Sequence, residues 1–599
     1  MIYFPSMLMI GPGVAVVTPT VAQTAINQPI VQIAGSNVSQ GNQIQLNGRT
    51  YPVPWIQWQD PNQPGKRLTG ISDSGLNRRF GVKLASSSDF RQQPVQWFTP
   101  KPVALTTRFS PNGAYRFLDI STLAPTGNWQ IQAQGSTLQI QSPSAKIGKI
   151  RSGRQQWGHR LVVDLDQPTP WQMERLTNSR TGKKNREFGL AIDANISAEL
   201  ARNWKFSPQS ALKSLKITRK NGRTLLSGVT SGTMHPRVWM LNNPHRLIID
   251  FQSKVPEQRS ILWAPGILRQ ERVISLGNRQ YPITWLAIQP NTPGLKLQPI
   301  WGSQNALLGI HPLLSMAKGT QVAAAINAGF FNRKNKTPLG AIRQNGQWVS
   351  SPILNRGVVA WNQQGQFQMG RLNLQQNLTT STGQRLQIVS TNSGYPQKGI
   401  ARYTPTWGPT YTPILKTEKI ITVVENRVIS EKVSTSAKSF AIPRNGYLLV
   451  LRSFAVAGAL TPGTQLQIQA STTPASFDAF PNIVGAGPLL VSNGRVVLNA
   501  KAEKFRPPFD TQAAPRSGIG QTADGTILLA AVHNRVGGPG PTLKEWALIM
   551  QRLGSVNALN LDGGSSTSLY LGGQLLDRHP VTAARVQNGI GVFWQPNAR

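Results

Sequence analysis

The stretch that decides the fold of this chain lies near its C-terminal end and reads Asn557-Ala558-Leu559-Asn560-Leu561-Asp562-Gly563-Gly564-Ser565-Ser566. A mostly apolar run leads into one carboxylate, two glycines and two serines. This pattern predicts a buried strand that delivers Asp562 to a tight turn, where glycine lets the backbone approach a ligand closely. The alternative is that Asp562 is an Asx-type turn residue before the two glycines, without a role in chemistry.

A second strand of this kind lies far upstream. Residues 322–326 are apolar and lead into Asn327-Ala328-Gly329-Phe330-Phe331. Two apolar strands that each end in a polar residue and glycine are typical of a site at the carboxyl edge of a sheet. Asn327 is then expected either to contact a substrate or to bond neighbouring backbone.

Helix signals appear beside both strands. Thr542 and Glu545 have the spacing of a capping box, followed by an apolar face, and predict a helix over 543–553. A shorter helix is predicted over 312–318. Each helix leads directly into a strand, so the fold class is predicted as α+β, with a C-terminal mixed α/β domain preceded by small, mostly β domains.

The charge of the chain favours anionic partners. Its 599 residues include 63 Lys and Arg against 23 Asp and Glu, a formal charge of +40, although only 14% of residues are charged. Cell-wall polymers and phosphate-bearing glycans fit such a surface. The bases are spread out and no nucleic-acid-binding motif is visible, so specific nucleic-acid binding is not expected. The absence of cysteine excludes disulfides and thiolate metal sites.

The first 25 residues are predicted to be a signal peptide. They carry no charged side chain, and a small-x-small pattern precedes Gln23. They lack the basic start that signal peptides usually have, and the alternative is an ordinary apolar arm. No later run reaches the ~18 apolar residues that a membrane span needs. We therefore expect a periplasmic or secreted protein without a transmembrane span.

The rest of the chain divides into four segments: a β-rich N-terminal domain at 26–145, a second β domain at 146–255, a linker at 256–274 and a C-terminal domain at 275–599. The second domain contains a repeat, at 158–165 and 244–251, in which an apolar strand opens with His-Arg and closes with Asp. The repeat favours core strands with solvated ends. These segments resemble AMIN-type domains, which implies targeting to the bacterial cell envelope.

Six motifs of the C-terminal domain stand in the order in which the phosphodiester glycosidase family carries them. They are Ala325-Ile326-Asn327-Ala328-Gly329-Phe330-Phe331, Pro338-Leu339-Gly340, Ile442-Pro443-Arg444-Asn445-Gly446, Gly485-Ala486-Gly487-Pro488-Leu489-Leu490, Pro515-Arg516-Ser517-Gly518-Ile519-Gly520 and the opening Asn-Leu-Asp-Gly-Gly-Ser-Ser stretch. From about 275 to 595 the chain therefore resembles this family. The resemblance implies a hydrolase that cleaves the C1–O bond of a sugar joined to a phosphodiester, releasing a free sugar and a phosphate monoester.

The resemblance also implies the site residues. Asp562, His533 and Arg516 are predicted to be catalytic. Members often carry Asp-Gly-Arg where this chain reads His533-Asn534-Arg535, and His533 can take the place of the acid as an acid or base. The predicted substrate-binding residues are Asn327, Arg535, Asn560, Gly563, Gly564, Ser565, Ser566, Asp577 and Arg585. Among them, arginine suits a phosphodiester and the Gly-Gly-Ser-Ser turn suits an anion nest.

Two questions stay open at this point, the role of Asp562 and the function of the whole protein. Asp562 can serve as general base, as stabiliser of positive charge at C1, or as ligand to a divalent cation such as Ca²⁺ or Mg²⁺. The whole protein can be an exported envelope enzyme held to the wall by its basic β modules. It can also be an inactive family member that binds anionic cell-envelope polysaccharide.

Overall fold

The computed structural model describes residues 38–596 apart from 175–184, 207, 209–210, 232–234, 253–256, 304–305, 435–437 and 536–537. The predicted signal peptide lies outside these residues. Strands account for 51% of the structure and helices for 10%. The α+β prediction is therefore wrong and the protein is mostly β, because its apolar strands are covered mainly by other strands from distant parts of the chain.

The predicted helices exist but are few and short. The capping box of Thr542 and Glu545 is confirmed, and its helix spans Leu543–Arg552. The shorter helix spans Leu313–Gly319. The other helical segments are brief turns: Asp73–Gly75, Leu76–Phe80, Ala124–Gly127, Ala198–Asn203, Pro405–Trp407, Phe454–Ala459, Ala475–Ala479, Gly564–Ser566 and Pro580–Thr582. None of the helices that the structure describes is long and apolar enough to cross a membrane.

The N-terminal region forms two sheets. In sheet order, the larger has the strands Ser39–Gly41, Trp55–Gln59, Arg67–Ser72, Arg116–Asp119, Val103–Phe109, Gln92–Gln96 and Lys83–Leu84. The smaller has Gln130–Gln134, Thr137–Gln141, Gln43–Leu46 and Arg49–Tyr51. In the strand Thr137–Gln141 buried and more exposed residues alternate, with Leu138 and Ile140 buried.

The second β region is built from two further sheets. One has Ala194–Ile196, Ala145–Gln155, Gly158–Leu165, Arg246–Gln252 and His235–Leu241, and the other Trp171–Glu174, Asn185–Ile192, Arg223–Ser231 and Leu212–Lys220. The two copies of the repeat are adjacent antiparallel strands, which pair Arg160 with Asp250 and Asp164 with Arg246. One apolar cluster runs through this region and the N-terminal region together. The AMIN likeness stays a prediction.

The C-terminal region is formed by three sheets around one apolar core. The largest has Arg259–Ala264, Ile267–Leu276, Arg279–Ile288, Ile527–Val532, Arg516–Thr522, Ser555–Asn560, Leu489–Ser492 and Arg495–Val496. A second has Leu295–Trp301, Asn588–Trp594, Ala324–Asn327, Leu569–Leu571 and Gln574–Leu575. A third has Gln347–Ser350, Ile342–Gln344, Asn482–Gly485, Gly357–Trp361 and Phe367–Arg371.

A further sheet with its own core is inserted in the chain between the strands Phe367–Arg371 and Asn482–Gly485 of that third sheet. Its strands are Arg427–Ser434, Glu418–Val424, Gly446–Leu451, Ile400–Tyr403, Arg385–Thr391, Asn373–Thr380 and Leu466–Thr473. A small pair, Thr410–Tyr411 and Phe440–Ala441, packs beside it. The ion pair of Glu418 with Arg452, 2.7 Å long and fully buried, joins the start of strand Glu418–Val424 to the residue after strand Gly446–Leu451.

The N-terminal and C-terminal regions share a packed junction. Asp73 forms a buried ion pair with Arg116 at 3.0 Å and accepts from the Trp263 indole at 2.8 Å. Trp263 lies within 256–274, the segment predicted to be a linker. That segment instead contains the strands Arg259–Ala264 and Ile267–Leu276, because Ile261, Trp263 and Ile267 pack into the cores.

Candidate active site

The two predicted strand ends lie side by side, although they belong to different sheets. Asn327 ends its strand and donates through Nδ2 to the Asp562 carbonyl oxygen at 2.6 Å. The Asp562 N–H donates in turn to the Ala328 carbonyl oxygen at 2.8 Å. The expectation of one sheet edge is therefore wrong, because the site forms where two sheets meet.

Asn327 sets the position of Asp562 from behind. Its side chain is fully buried, and its Oδ1 accepts from the Ser517 hydroxyl at 2.7 Å and from the Ser568 N–H at 3.0 Å. Both polar atoms of the side chain are thus engaged within the protein. Of the two expectations, the structure displays backbone bonding, while substrate contact by Asn327 stays a prediction.

The segment 562–568, which we call the Asp562 loop, is shaped by close backbone contacts. A Cβ on Gly563 would lie 2.8 Å from the Pro515 carbonyl oxygen, so any side chain there would push the two segments apart. Gly564 has a φ of +64°, which favours glycine. Its N–H donates to the same Pro515 carbonyl at 2.8 Å. This N–H is therefore used within the protein rather than offered to an anion.

The Asp562 carboxylate is the reactive group that the fold presents. Burial raises its pKa to about 6, opposed by hydrogen bonds from Ser566 and the Gly563 N–H and by the charge of Arg333. The residue keeps some accessible surface, yet protein surrounds the carboxylate closely enough for burial to outweigh these three effects. A carboxyl group that titrates near working pH can accept and return a proton. If Asp562 were only an Asx-turn residue, hydrogen bonds from the backbone would lower the pKa of its carboxyl group instead.

Arg333 is the cation that acts on Asp562, and the sequence motifs missed it. It is exposed and follows Phe330 and Phe331 closely in the chain. Its positive charge favours the ionised form of the Asp562 carboxylate. The ion pairs of the described residues do not include one between Arg333 and Asp562. A guanidinium in this position is available to a negatively charged phosphodiester. Its place just past a strand end was the available signal.

His533 joins a network behind the Asp562 loop. Its Nε2 lies 2.7 Å from Asp577 Oδ2, and its Nδ1 lies 3.2 Å from Arg578 Nη2. A guanidinium can only donate, so Nδ1 accepts and the ring proton sits on Nε2, which donates to Asp577. Both ring nitrogens are thus engaged, and a catalytic role for His533 stays a prediction.

Arg578, which the motifs also missed, fixes the Asp562 loop. Its guanidinium donates to the carbonyl oxygens of Ser565 at 2.9 Å and Gly564 at 3.0 Å. Burial lowers the pKa of Arg578, and Asp577 partly restores it. The Asp577 side chain is only 1% exposed, so it acts on His533 and Arg578. The prediction that Asp577 contacts substrate has no support in this geometry.

Arg516 directs its guanidinium to the segment 509–512. It donates to the carbonyl oxygens of Pro541, at 3.3 Å, and Gln512. The guanidinium carbon lies 5.6 Å from the centre of the Phe509 ring. Burial lowers the pKa of Arg516 to about 10, with no carboxylate of the described residues offsetting it. Such an unbalanced buried cation is suited to an anion, although its present contacts hold a loop.

Three phenylalanines form what we call the Phe platform beside this loop. Phe505 and Phe509 stack with ring centres 4.7 Å apart, and Phe330 meets them at 5.5 and 5.8 Å. All three are half-buried. The guanidinium carbon of Arg356 lies 4.0 Å from the centre of the Phe505 ring. Half-exposed aromatic rings next to guanidinium groups suit an amphipathic ligand that carries negative charge.

The remaining predicted substrate-binding residues differ in position. Asn560 is fully buried and donates to the Gly487 carbonyl at 2.9 Å. Arg535 lies on its own loop, with its guanidinium against Gly538. Arg585 is exposed and lies beside the Asp562 loop, because the preceding residue donates its N–H to a loop carbonyl at 2.8 Å. Arg585 is thus at the rim of the site and Asn560 is beneath it.

The donor set around Asp562 does not fit a Ca²⁺ or Mg²⁺ centre. The part of the chain that the structure describes contains no group of three or more His, Cys, Asp or Glu side chains able to hold a metal ion. The Gly564 and Ser565 carbonyl oxygens of the Asp562 loop already accept hydrogen bonds from Arg578.

Comparison with solved structures finds a similar structure over most of the chain. A crystal structure of a hypothetical protein from Synechocystis is 42% identical, covers 93% of this chain and 99% of its own, and gives a TM-score of 0.86. The likeness therefore extends through the upstream β regions. No curated protein matches the chain.

Two other solved structures are more distant. A Burkholderia pseudomallei protein labelled as exported is 16% identical, covers 71% of this chain and 96% of its own, and has a TM-score of 0.45. The zebrafish N-acetylglucosamine-1-phosphodiester alpha-N-acetylglucosaminidase catalytic domain, auto-inhibited by its pro-peptide, is 14% identical. It covers 57% of this chain and 85% of its own, with a TM-score of 0.29. TM-scores this low do not establish a shared fold.

The family model for phosphodiester glycosidases matches residues 418–593. The match is shorter than the 275–595 expected from the motifs, and it begins inside the inserted sheet at strand Glu418–Val424. It includes Arg516, His533 and the whole Asp562 loop. Strands upstream of the match complete its sheets, since Arg279–Ile288 pairs with Ile527–Val532. Residues 418–593 of the chain are therefore a phosphodiester glycosidase domain.

Proposed function

We propose that this protein is a hydrolase that removes a sugar from a sugar-1-phosphodiester. The observation that carries the proposal is the Asp562 carboxylate, held at a junction of two sheets with a pKa raised to about 6 by burial and facing the exposed Arg333. The phosphodiester glycosidase domain matched at 418–593 supports the same reaction class. A merely structural aspartate would be paired, as Asp250 is with Arg160.

In the proposed reaction the C1–O bond of the sugar breaks and the oxygen of a water molecule bonds to C1. Asp562 accepts the proton that this water loses, and its charge also stabilises the positive charge that develops at C1. The bonding electrons leave with the phosphate, which departs as a monoester with one more negative charge. The phosphate is already a good leaving group, so the protein needs only one carboxylate together with firm anion binding.

Arg333 is the proposed phosphodiester contact, because it is exposed and acts on the Asp562 carboxylate. The Phe platform is proposed to receive an apolar face of the sugar or of the group beyond the phosphate. Asn327 and Arg578 are proposed as positioning residues, since each bonds the backbone of the Asp562 loop. His533 is proposed to keep Arg578 and Asp577 in place.

We further propose that the protein works in the periplasm or outside the cell. The formal charge of +40 favours adhesion to anionic envelope polymers, and the basic β regions are the proposed contact. The runner-up is a non-catalytic protein that binds anionic cell-envelope polysaccharide. The engaged ring nitrogens of His533 favour this alternative, because they leave Asp562 without a second free acid or base.

The test is to incubate the full chain with a panel of α- and β-linked hexose and N-acetylhexosamine 1-phosphate methyl esters. Free sugar and methyl phosphate are measured by chromatography, and the anomer first released is identified by proton NMR. Turnover by the wild-type protein that disappears in Asp562→Asn, with the fold intact, supports the glycosidase. Binding of these esters without any product release supports the runner-up.

A further inference from the structure

A second basic site lies away from Asp562, at the junction of the three regions of the protein. A cavity of about 1020 Å³ is lined by residues of the N-terminal region, the second β region and the C-terminal region. Its described lining includes neither Asp562 nor Arg333. Its volume is at the upper end of the range usual for small-molecule sites. Its lining holds five Lys and Arg side chains, Arg78, Arg79, Lys83, Arg259 and Lys318.

These cations are poorly compensated. Glu174 is the acid among the lining residues, and it already pairs with Arg223 at 2.9 Å. Burial lowers the pKa of Lys318, and the charges of Arg78 and Arg79 lower it further. Burial likewise lowers the pKa of Arg78, with Arg79 adding to the effect. Three half-buried cations thus repel one another across the cavity.

A second group of cations surrounds Lys83. Burial lowers the pKa of Lys83 to about 8 and Arg259 lowers it further, while Glu257, which lies 3.8 Å from Arg259, raises it. In a chain with few acids, an unpaired cation on an open surface costs little free energy. Half-buried cations held next to each other are different, because removal from water strengthens their repulsion. A bound anion would remove this repulsion.

The fold holds the basic side chains in place. Arg78 and Arg79 lie in the helical turn Leu76–Phe80, which ends at Gly81 with a φ of +75°. A Cβ on Gly81 would lie 2.3 Å from the Trp171 ring, so the indole is packed directly against the turn. Trp171 also lines the cavity. Arg78 and Arg79 therefore belong to a turn that a buried indole holds in place.

We propose that this cavity binds a phosphorylated oligosaccharide with at least two phosphate groups. Two groups of cations match two anions, because Arg78 and Arg79 act on Lys318 whereas Arg259 acts on Lys83. The half-buried ring of Tyr115 and the exposed Met173 and Val581 supply apolar surface of the kind that packs on sugar rings. Inorganic oligophosphate shares the anionic chemistry but gains nothing from that surface.

One wall links the cavity to the Asp562 site. Val581 lines the cavity, and Arg578, three residues before it, holds the Asp562 loop and donates to the Thr582 carbonyl at 2.9 Å. The proposal does not depend on catalysis, because binding can be measured with no turnover. The two sites can therefore be tested separately.

The experiment measures binding to the full chain by calorimetry, with three probes: a mannan oligosaccharide bearing two phosphates, the same oligosaccharide after dephosphorylation, and tripolyphosphate. The cavity variant is Arg78→Gln/Arg79→Gln/Lys318→Gln. The control variant, Lys213→Gln/Lys216→Gln/Arg219→Gln, loses the same charge from the exposed side chains of strand Leu212–Lys220. A second cavity variant, Lys83→Gln, is used if the triple variant does not fold.

We expect the wild-type protein to bind the phosphorylated oligosaccharide most tightly. The cavity variant should weaken binding at least about tenfold and the control less than about twofold, since charge-assisted contacts are lost only in the former. Equal weakening by both triple variants would mean that bulk charge alone binds the probe, and would overturn the proposal. So would no binding by the wild-type protein, or equal affinity for tripolyphosphate and the oligosaccharide.

Discussion

Two regions of this protein use an aspartate in opposite ways. In the second β region, Asp250 receives both arms of the Arg160 guanidinium, at 2.6 and 2.9 Å, and this hydrogen bonding raises the pKa of Arg160. In the C-terminal region, burial raises the pKa of Asp562 to about 6, and the cation that it faces is exposed. A paired carboxylate stabilises the fold, whereas an uncompensated one retains reactivity towards a ligand.

The largest expected effect contrasts the two carboxylates directly. Asp562→Asn keeps the size of the side chain and removes the proton acceptor, so kcat should fall by about 10²–10⁴-fold. Asp250→Asn should leave kcat unchanged and lower the free energy of unfolding by about 1–3 kcal/mol, because Arg160 loses its partner. Turnover of the sugar-1-phosphodiester and urea unfolding measure the two quantities. Similar rate losses in both variants would erase the distinction.

The same contrast applies to the two arginines. Arg333→Gln should lower kcat/KM about 10–100-fold through loss of a charge-assisted phosphodiester contact. Its free energy of unfolding should stay within about 0.5 kcal/mol of wild type, since Arg333 is exposed. Arg160→Gln should show the reverse pattern, with normal kinetics and a lower unfolding midpoint. Normal kinetics in Arg333→Gln would remove Arg333 from the site.

Arg578 is intermediate between a structural arginine such as Arg160 and a substrate contact such as Arg333. Its guanidinium forms hydrogen bonds within the protein, but these hold the Asp562 loop. Arg578→Lys keeps the charge and loses the fork that reaches Gly564 and Ser565. We expect kcat to fall about tenfold with KM nearly unchanged, because a displaced loop misplaces Asp562 more than it weakens binding. Steady-state kinetics separate these two constants. A rise in KM with kcat intact would instead assign Arg578 to substrate contact.

The sequence predicts features whose partners are near in the chain. The capping box can be predicted because Thr542 and Glu545 lie three residues apart. The turn after Asp562 can be predicted because two glycines directly follow this residue. The two helix–strand units are local patterns of this kind, and they predict an α+β fold. Strand Ser555–Asn560 instead pairs with the strands Arg516–Thr522 and Leu489–Ser492, which lie far away in the chain. No local pattern encodes such pairing, and so the fold class was predicted wrongly.

The site divides in the same manner. Asp562 could be predicted because a motif surrounds it. Arg578 could not, because its function depends on carbonyl oxygens that only the folded loop presents to it. His533 was predicted as a replacement acid from its place in a motif, but the ring meets Asp577, 44 residues later, and is engaged there. Side-chain chemistry can be read from a sequence more readily than the direction in which the side chain points.

The last expected effect is a stability difference whose sign identifies an uncompensated carboxylate. The pKa of Asp562 is about 6 in the folded protein and about 3.9 in an unfolded chain. The folded value is the higher one, so the folded state binds more protons between these pH values. The free energy of unfolding therefore decreases as pH rises from about 4 to about 6.

Replacement of Asp562 by asparagine removes this loss. Asp562→Asn should match the wild-type protein near pH 4 and exceed it by about 2 kcal/mol above pH 7, on the conversion of one pKa unit to about 1.4 kcal/mol with allowance for partial solvent access. Urea unfolding at the two pH values measures the difference. Asp250→Asn should destabilise at neutral pH, so opposite signs are expected for two substitutions of the same kind. A lower stability of Asp562→Asn at neutral pH would mean that the carboxylate is compensated after all, and that Asp562 belongs with Asp250 among the structural charges.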